Sequence, residues 1–269
     1  MSAAIHPSSI VETGATLGAE VVVGPFCHVA GGITLDDGVE LLSHVVLRGQ
    51  TRIGARTQIY PFACIGAQSQ DLKSQGAAGA LEIGADCVIR EGVTINLGTP
   101  LGGGVTRIGA SCALLAYSHV GHDCRLGDHV VLSNNALLAG HVEIGDHAMI
   151  GGGTAVHQFV RIGAHAFVGG MSGLEGCVIP FGLASGNRAH LFGLNLVGLR
   201  RRGFDAARIA RLKSAYRRLF PAEPQGDLRA RAEQLGQENA GDADITALVD
   251  FLRASSERPL CAPRRGGAE

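Results

Sequence analysis

Four histidines and one aspartate carry most of this chain's capacity for chemistry. His119 and His122 stand three apart, Asp123 follows directly, and His141 and His157 come further on. Imidazole titrates closest to pH 7 of all side chains, so such a group could take and return a proton during a reaction. It is also a common ligand for zinc, and an adjacent carboxylate suits either task. A single histidine more often just caps a turn, and spacing alone leaves the three readings open. The basic triplet Arg200, Arg201 and Arg202 is similarly divided between an exposed turn and a clamp whose forked donors match phosphate oxygens.

The segments that must position these groups are built on a period of six. Counting in sixes from Ile5 gives Val11, Leu17, Val23, Val29, Leu35, Leu41, Leu47, Ile53, Ile59 and Ile65, all Ile, Leu or Val. The phase resumes at Ile83, Ile89 and Ile95, slips by one, and runs unbroken from Ile108 to Leu174. A fixed internal period of this kind is the signature of a stacked repeat. Glycine often follows the aliphatic residue, as at Gly24, Gly66, Gly127 and Gly145, where a corner is expected to need a permissive backbone. Four residues after the aliphatic position stand small or β-branched side chains, among them Val21, Cys27, Thr57, Ala63, Cys87, Cys112, Cys124 and Thr154, which should also face inward. Four of the seven cysteines are thereby explained as core residues rather than redox or metal groups. Two stretches break the period, 68–80 and 97–107, and in a solenoid such insertions leave as loops that commonly build binding surface.

This pattern resembles the hexapeptide-repeat family, over roughly Ile5 to Pro180. The resemblance implies a mainly β fold, a left-handed parallel β-helix shaped as a triangular prism with three hexads to a coil. Handedness comes from the resemblance, since right-handed crossovers are the general rule. Residues eighteen apart would then stack, setting Val120, Leu138 and Val156 in one column with His122, His141 and His157 beside them and His119 adjacent. Beyond His190 the period disappears, and Ala206 to Phe220, Asp227 to Glu238 and Asp244 to Ser255 read as amphipathic helices, with Leu212, Leu219 and Phe220 on the buried stripe of the first. The expected organisation is a β-helix over 1–189, a C-terminal α-helical domain over 190–258 capping the open end, and a disordered tail over 259–269.

The words SHVGHDC, NNALLAGHV, GGTAVHQF, GLNLVGLRRRGF and QDLK occur in the order found in the UDP-N-acetylglucosamine O-acyltransferases of lipid A biosynthesis, and the chain resembles that family through most of its length. The resemblance implies transfer of a 3-hydroxyacyl chain from acyl carrier protein to the 3-hydroxyl of a UDP-aminosugar, with His122 as general base, Asp123 orienting it, and the Gly140 N–H facing the oxyanion. It further implies sugar or diphosphate contacts from Asp71, Lys73, His119, His141 and Gln158, a place beside the acyl donor for His157, and nucleotide contacts from Asn195, Arg201 and Arg202. Gly170 would stand at the far end of the acyl chain, where a missing side chain leaves room for a longer one. Sites in the family lie between subunits, so a homotrimer is expected. No cofactor or metal is implied. The chain departs from the family at Asn96, where others carry histidine, and at Val197, where others carry an acid. Transfer to a 3-amino sugar, a metal-dependent hexapeptide enzyme, and a non-catalytic prism stay as alternatives.

The formal net charge of -1 gives no bulk reason to bind nucleic acid or an anionic membrane. Met1 to Ser9 lacks a basic segment followed by an apolar run, and no stretch is apolar for the length of a bilayer. Scattered, odd-numbered cysteines fit a reducing compartment, and a cytoplasmic location is expected.

Overall fold

The structure, a computed structural model, describes residues 2–73, 79–223, 226–254 and 256–263. Each hexad is a strand of about two residues followed by a turn, and successive strands fall on three sheets of eleven, nine and eight strands among the described residues, parallel throughout except for the last pairing of the first. The first face begins with Ala4–Ile5, the second with Ile10–Val11 and the third with Thr16–Leu17. Together they form the left-handed parallel β-helix. Stacking is in register: Val120 pairs with Leu138 and Leu138 with Val156.

The inward slots are filled as expected. Ile53, Ile59, Ile65, Leu114, Val120, Leu132, Leu138 and Ile150 are fully buried, as are Ala63 and Ala136 in the smaller slot. The polar members of that slot also have a function in the stacking. The thiols of Cys87, Cys112 and Cys124 donate to the carbonyls of Gly109, Gly127 and Ala139 on the next coil, and the Thr154 hydroxyl donates to Gly169. A small side chain with a weak donor fits there because it closes a turn carbonyl that no strand partner reaches.

The glycines after the aliphatic position need a different explanation from the one expected. Gly66 has positive φ, but Gly24 and Gly145 do not. At Gly145 an added Cβ would lie 2.5 Å from the Ala164 nitrogen of the next coil, and at Gly24 it would run into the Leu42 carbonyl. Close approach of successive coils, not backbone freedom, excludes a side chain. The left-handed backbone falls two residues later, on Ser111, Tyr117, Asp123, His129, Asn135, His141, His147, Gly153, Phe159, His165 and Met171, one at each corner of that stretch. Asp123 (φ 59) and His141 (φ 61) occupy such positions, which cost L-residues about 1–2 kcal/mol each.

Both interruptions of the repeat leave the same corner, between the second and third faces. Strand Cys64–Ala67 is separated from Ala80–Ile83 by the first, and Thr94–Asn96 from Val105–Ile108 by the second. The next coils up place His122 and Asp123, then Gly140 and His141, then His157 and Gln158 on that corner. Residues 74–78 of the first insertion lie outside the described residues.

At the C-terminal end, His190–Leu194 does not open the helical part as expected. It forms an antiparallel strand against Gly182–Ser185 and closes the first face. Four helices follow: α1 (Leu196–Arg201), α2 (Ala206–Leu219), α3 (Leu228–Glu238) and α4 (Ala243–Arg253). The first was not anticipated; the other three match the expected spans to within a few residues, though Ser255 lies outside the described residues. Asp205, Asp227 and Asp242 cap α2, α3 and α4 by accepting backbone N–H bonds. Leu212 and Leu219 are buried, with Phe220 partly so. The start of the expected disordered tail is instead a strap: Leu260 bridges to Cys177, Pro263 bridges to Leu191, and Cys261 is buried. Residues 264–269 lie outside the described residues. Among the described residues no helix is long and apolar enough to cross a membrane.

Candidate active site

A cleft of about 510 Å³ opens on this corner between the second and third faces, lined by Asp71, Lys73, His119, His122, Gly140 and Gln158 with Gln70 and Asn96. Six of the residues singled out from sequence thus meet in one place, although they come from four different coils. The Asp71 carboxylate accepts the Lys73 N–H at 3.0 Å, a local turn that fixes both residues at the rim. Asn96 is buried, and its amide donates to the Gln68 carbonyl at 3.0 Å, so the departure from the family's histidine anchors the base of the loop that carries Asp71 and Lys73.

At the centre, His122 Nδ1 lies 2.8 Å from Asp123 Oδ2. The Asp123 side chain is wholly buried, and three donors serve it: His122, the Thr99 N–H at 2.9 Å and the Thr99 hydroxyl at 2.7 Å. Burial pushes the carboxyl up, but the hydrogen bonds from His122 and Thr99 outweigh it and hold the group below its ordinary value. An ionised Asp123 therefore fixes the His122 proton on Nδ1 and leaves Nε2 as the free acceptor. That nitrogen faces Gly140, where an added Cβ would press directly on it. The Gly140 N–H is buried and donates to nothing among the described residues. A base and an unpaired backbone donor sharing one side of a cleft can remove a proton and stabilise a developing negative oxygen.

The other histidines divide. His119 Nδ1 lies 2.8 Å from the Thr94 hydroxyl, and burial followed by the neighbouring His122 pushes it below its ordinary value, so it is neutral at pH 7. His141 is turned to the far side of the corner, with Nε2 3.9 Å from Asp123 Oδ2 and its ring stacked on Phe159 at 4.5 Å. Burial lowers it too, against the pull of Asp123. The atoms of His122, Asp123 and His141 lie close enough to hold an ion. Both carboxylate oxygens, however, are already engaged by hydrogen-bond donors, the arrangement of an orienting group rather than a free ligand.

His157 stands outside the cleft wall, with its Nε2 3.4 Å from Arg258, whose Nε donates to the Gln158 carbonyl at 2.9 Å. Arg258 and Thr99 escaped sequence reasoning, the first at the end of the expected helical domain and the second inside an insertion. Asn195, Arg201 and Arg202 are not in this cleft. Asn195 is buried as the cap of α1, accepting from the Gly198 N–H and donating to the His165 carbonyl. Arg201 is exposed in the last turn of α1, and Arg202 lies beside His147 and His165 at the corner between the third and first faces. Gly170 is exposed at the remaining corner, where a Cβ would meet the Gly152 carbonyl at 3.1 Å.

Comparison with known proteins gives a consistent result. The profile described as Udp N-acetylglucosamine O-acyltransferase, Domain 2, matches residues 178–261, and that of bacterial transferase hexapeptides matches 106–140. A Rhizobium johnstonii protein named acyl-[acyl-carrier-protein]–UDP-N-acetylglucosamine O-acyltransferase is 48% identical over 98% of this chain and 97% of its own. One of the same name from Sinorhizobium fredii is 48% identical over 99% and 98%. Among solved structures, UDP-N-acetylglucosamine acyltransferase from Campylobacter jejuni superposes with a TM-score of 0.90 at 38% identity, covering 97% of this chain and 100% of that one. The Moraxella catarrhalis UDP-N-acetylglucosamine O-acyltransferase gives 0.91 at 38%, covering 96% and 99%.

Proposed function

The chain belongs to the UDP-N-acetylglucosamine O-acyltransferase family, and from that premise we propose that it moves a 3-hydroxyacyl group from acyl carrier protein to the 3-hydroxyl of UDP-N-acetylglucosamine, opening lipid A biosynthesis in the cytoplasm. The observation that carries the mechanism is the His122–Asp123 pair with Nε2 aimed past Gly140 into the cleft. His122 Nε2 takes the hydroxyl proton as the sugar oxygen attacks the thioester carbon. The oxyanion that forms is held by the Gly140 N–H. Collapse breaks the carbon–sulfur bond, and the departing carrier thiol receives the proton back from His122. Lys73 supplies charge for the diphosphate, and His119, neutral and held by Thr94, offers Nε2 to a sugar hydroxyl. The same geometry serves a 3-amino acceptor, which the assay below includes.

A homotrimer completes the site. The corner between the first and second faces exposes Phe26, Phe62, Tyr117 and Met171 at 60%, 66%, 64% and 78%. The outward positions of the first face include Val88, Ala113, Val131, Met149 and Phe167, whereas those of the third include Arg52, Glu82, Arg107, Arg125, Glu143 and Arg161. An apolar corner belongs on a threefold axis and a charged face in water. That packing lays the second face of one subunit on the first face of the next. The catalytic corner then meets the neighbour's third-to-first corner, where Arg201 and Arg202 stand. Their distance from the cleft within one chain is thereby accounted for.

The test is turnover by purified protein of UDP-N-acetylglucosamine, and separately of its 3-amino analogue, with 3-hydroxyacyl carrier proteins, read by mass spectrometry. His122→Ala should lose about 10²- to 10⁴-fold. No acylated sugar from the wild type with either acceptor, or an undiminished His122→Ala, would refute the reading.

A further inference from the structure

The second insertion begins its 3₁₀ turn at Thr99, and the geometry there goes beyond loop closure. Thr99 caps the short 3₁₀ turn Pro100–Gly102, a place where threonine ordinarily bonds its own helix through the side chain. Here it makes no such bond. Its carbonyl accepts the N–H groups of Gly102 and Gly104, closing the loop, while its N–H and hydroxyl both go to the Asp123 carboxylate. Thr106, at the return of the same insertion and fully buried, accepts the Asp123 N–H at 2.8 Å. Gly102 covers the carboxylate so closely that a Cβ there would overlap it. The insertion thus grips the backbone and both carboxylate oxygens of Asp123 and shuts water out.

We infer that Thr99 is a positioning residue: its two donors hold Asp123 in the single orientation that lets Oδ2 accept the Nδ1 proton of His122 and leaves Nε2 on the cleft side. The hydroxyl does a second thing. By sharing Oδ2 with His122, it tempers the negative charge that the imidazolium meets at mid-reaction, so the proton can be returned to the leaving thiol. A carboxylate relieved of that donor holds the protonated imidazole more tightly and is free to rotate away from the line to Nδ1. The inference rests on His122 being the base.

Thr99→Val keeps the shape and the N–H but removes the hydroxyl, and Thr99→Ser restores it. Expected for Thr99→Val are a fall in kcat of about 10- to 100-fold, little change in KM for the sugar nucleotide, and an acidic limb of the kcat/KM–pH profile displaced to higher pH. Thr99→Ser should return most of the rate and the original limb. In an Asp123→Asn background, Thr99→Val should add almost nothing, because the hydroxyl acts through the carboxylate. Melting temperatures taken alongside separate rate from folding. Wild-type kcat and pH limb in Thr99→Val would overturn the inference while leaving His122 in place as base, as would an equal loss in Thr99→Ser or a full further loss in the Asp123→Asn background. A wild type without turnover, or His122→Ala with full turnover, overturns the parent reading and this one with it.

Discussion

The ring of His122 occupies the space in which a side chain on Gly140 would begin, so the base and the backbone donor of the proposed oxyanion site exclude one another's growth. Glycine is required at 140 for contact, since its φ is not in the left-handed region. Gly140→Ala should push the imidazole off its line to Asp123. A displacement near 1 Å costs about 10²-fold, so kcat should fall by that order with the melting temperature nearly unchanged. Unaltered kcat would remove Gly140 from the site.

Phe62 packs against His44 at 5.1 Å, and His44 against Phe26 at 4.9 Å, with the rings tilted by 32° and 35°, forming an exposed aromatic column. Phe62→Glu brings three carboxylates together if the column lies on a threefold axis. Sedimentation should then show monomers, and turnover should follow the remaining trimer fraction. A trimer that survives the substitution would place the axis elsewhere.

His165 gives the fold a defined response to acid. Burial, then the nearby His147, Arg202 and Arg208, push it from 6.5 down to about 4, with Asp244 opposing. Its ring packs edge-on to Phe204 at 5.1 Å, and its Nδ1 is buried without a partner among the described residues. The unfolded chain takes a proton near pH 6.5 that the folded chain refuses until about 4. Stability is therefore whole above 6.5 and drains away as pH falls toward 4. Asp123, held below its ordinary value, adds a loss in the same direction at still lower pH. The melting temperature should drop on the order of a few degrees across the upper window, and His165→Gln should flatten that dependence. An unchanged slope in the variant would assign the effect to other groups.

Gly170 and the exposed Met171 stand where the resemblance places the end of the acyl chain. Gly170→Met should favour shorter donors, each methylene that no longer fits costing about 10- to 200-fold in kcat/KM. Competition between carrier proteins loaded with different chain lengths measures this directly. The same preference in wild type and variant would separate Gly170 from chain length.

The prism was legible because its rule is local: an aliphatic residue every sixth position is enough to place Val120 under Leu138. Helices α2, α3 and α4 were legible from their amphipathic stripes, whereas α1 was not. What escaped depends on contacts between remote segments. Nothing in TINLGT indicates that Thr99 will reach Asp123, because that depends on how an irregular loop folds back over the next coil. Arg258 reaches Gln158 across a hundred residues, carried by a strap that has no period to betray it. Reading the post-aliphatic glycines as flexible corners failed for a related reason, as the clash that excludes a Cβ comes from a neighbouring coil. His122 and Asp123 were found because chemistry selects their types; their holders were missed because threonine and arginine are common everywhere.

The strap of residues 256–263 acquires another meaning when the order of synthesis is considered. The prism precedes the helices in the chain, so it can form while the helices are still being made. The edge at Cys177 stays unpaired until Leu260 emerges to meet it, and the contact from Arg258 to Gln158 beside the cleft forms at the same moment. Emergence of the strap and completion of this wall of the cleft are thus one event. A truncated product lacking the strap would keep His122, Asp123 and Gly140 but leave the edge at Cys177 unpaired, and an unpaired edge invites edge-to-edge association.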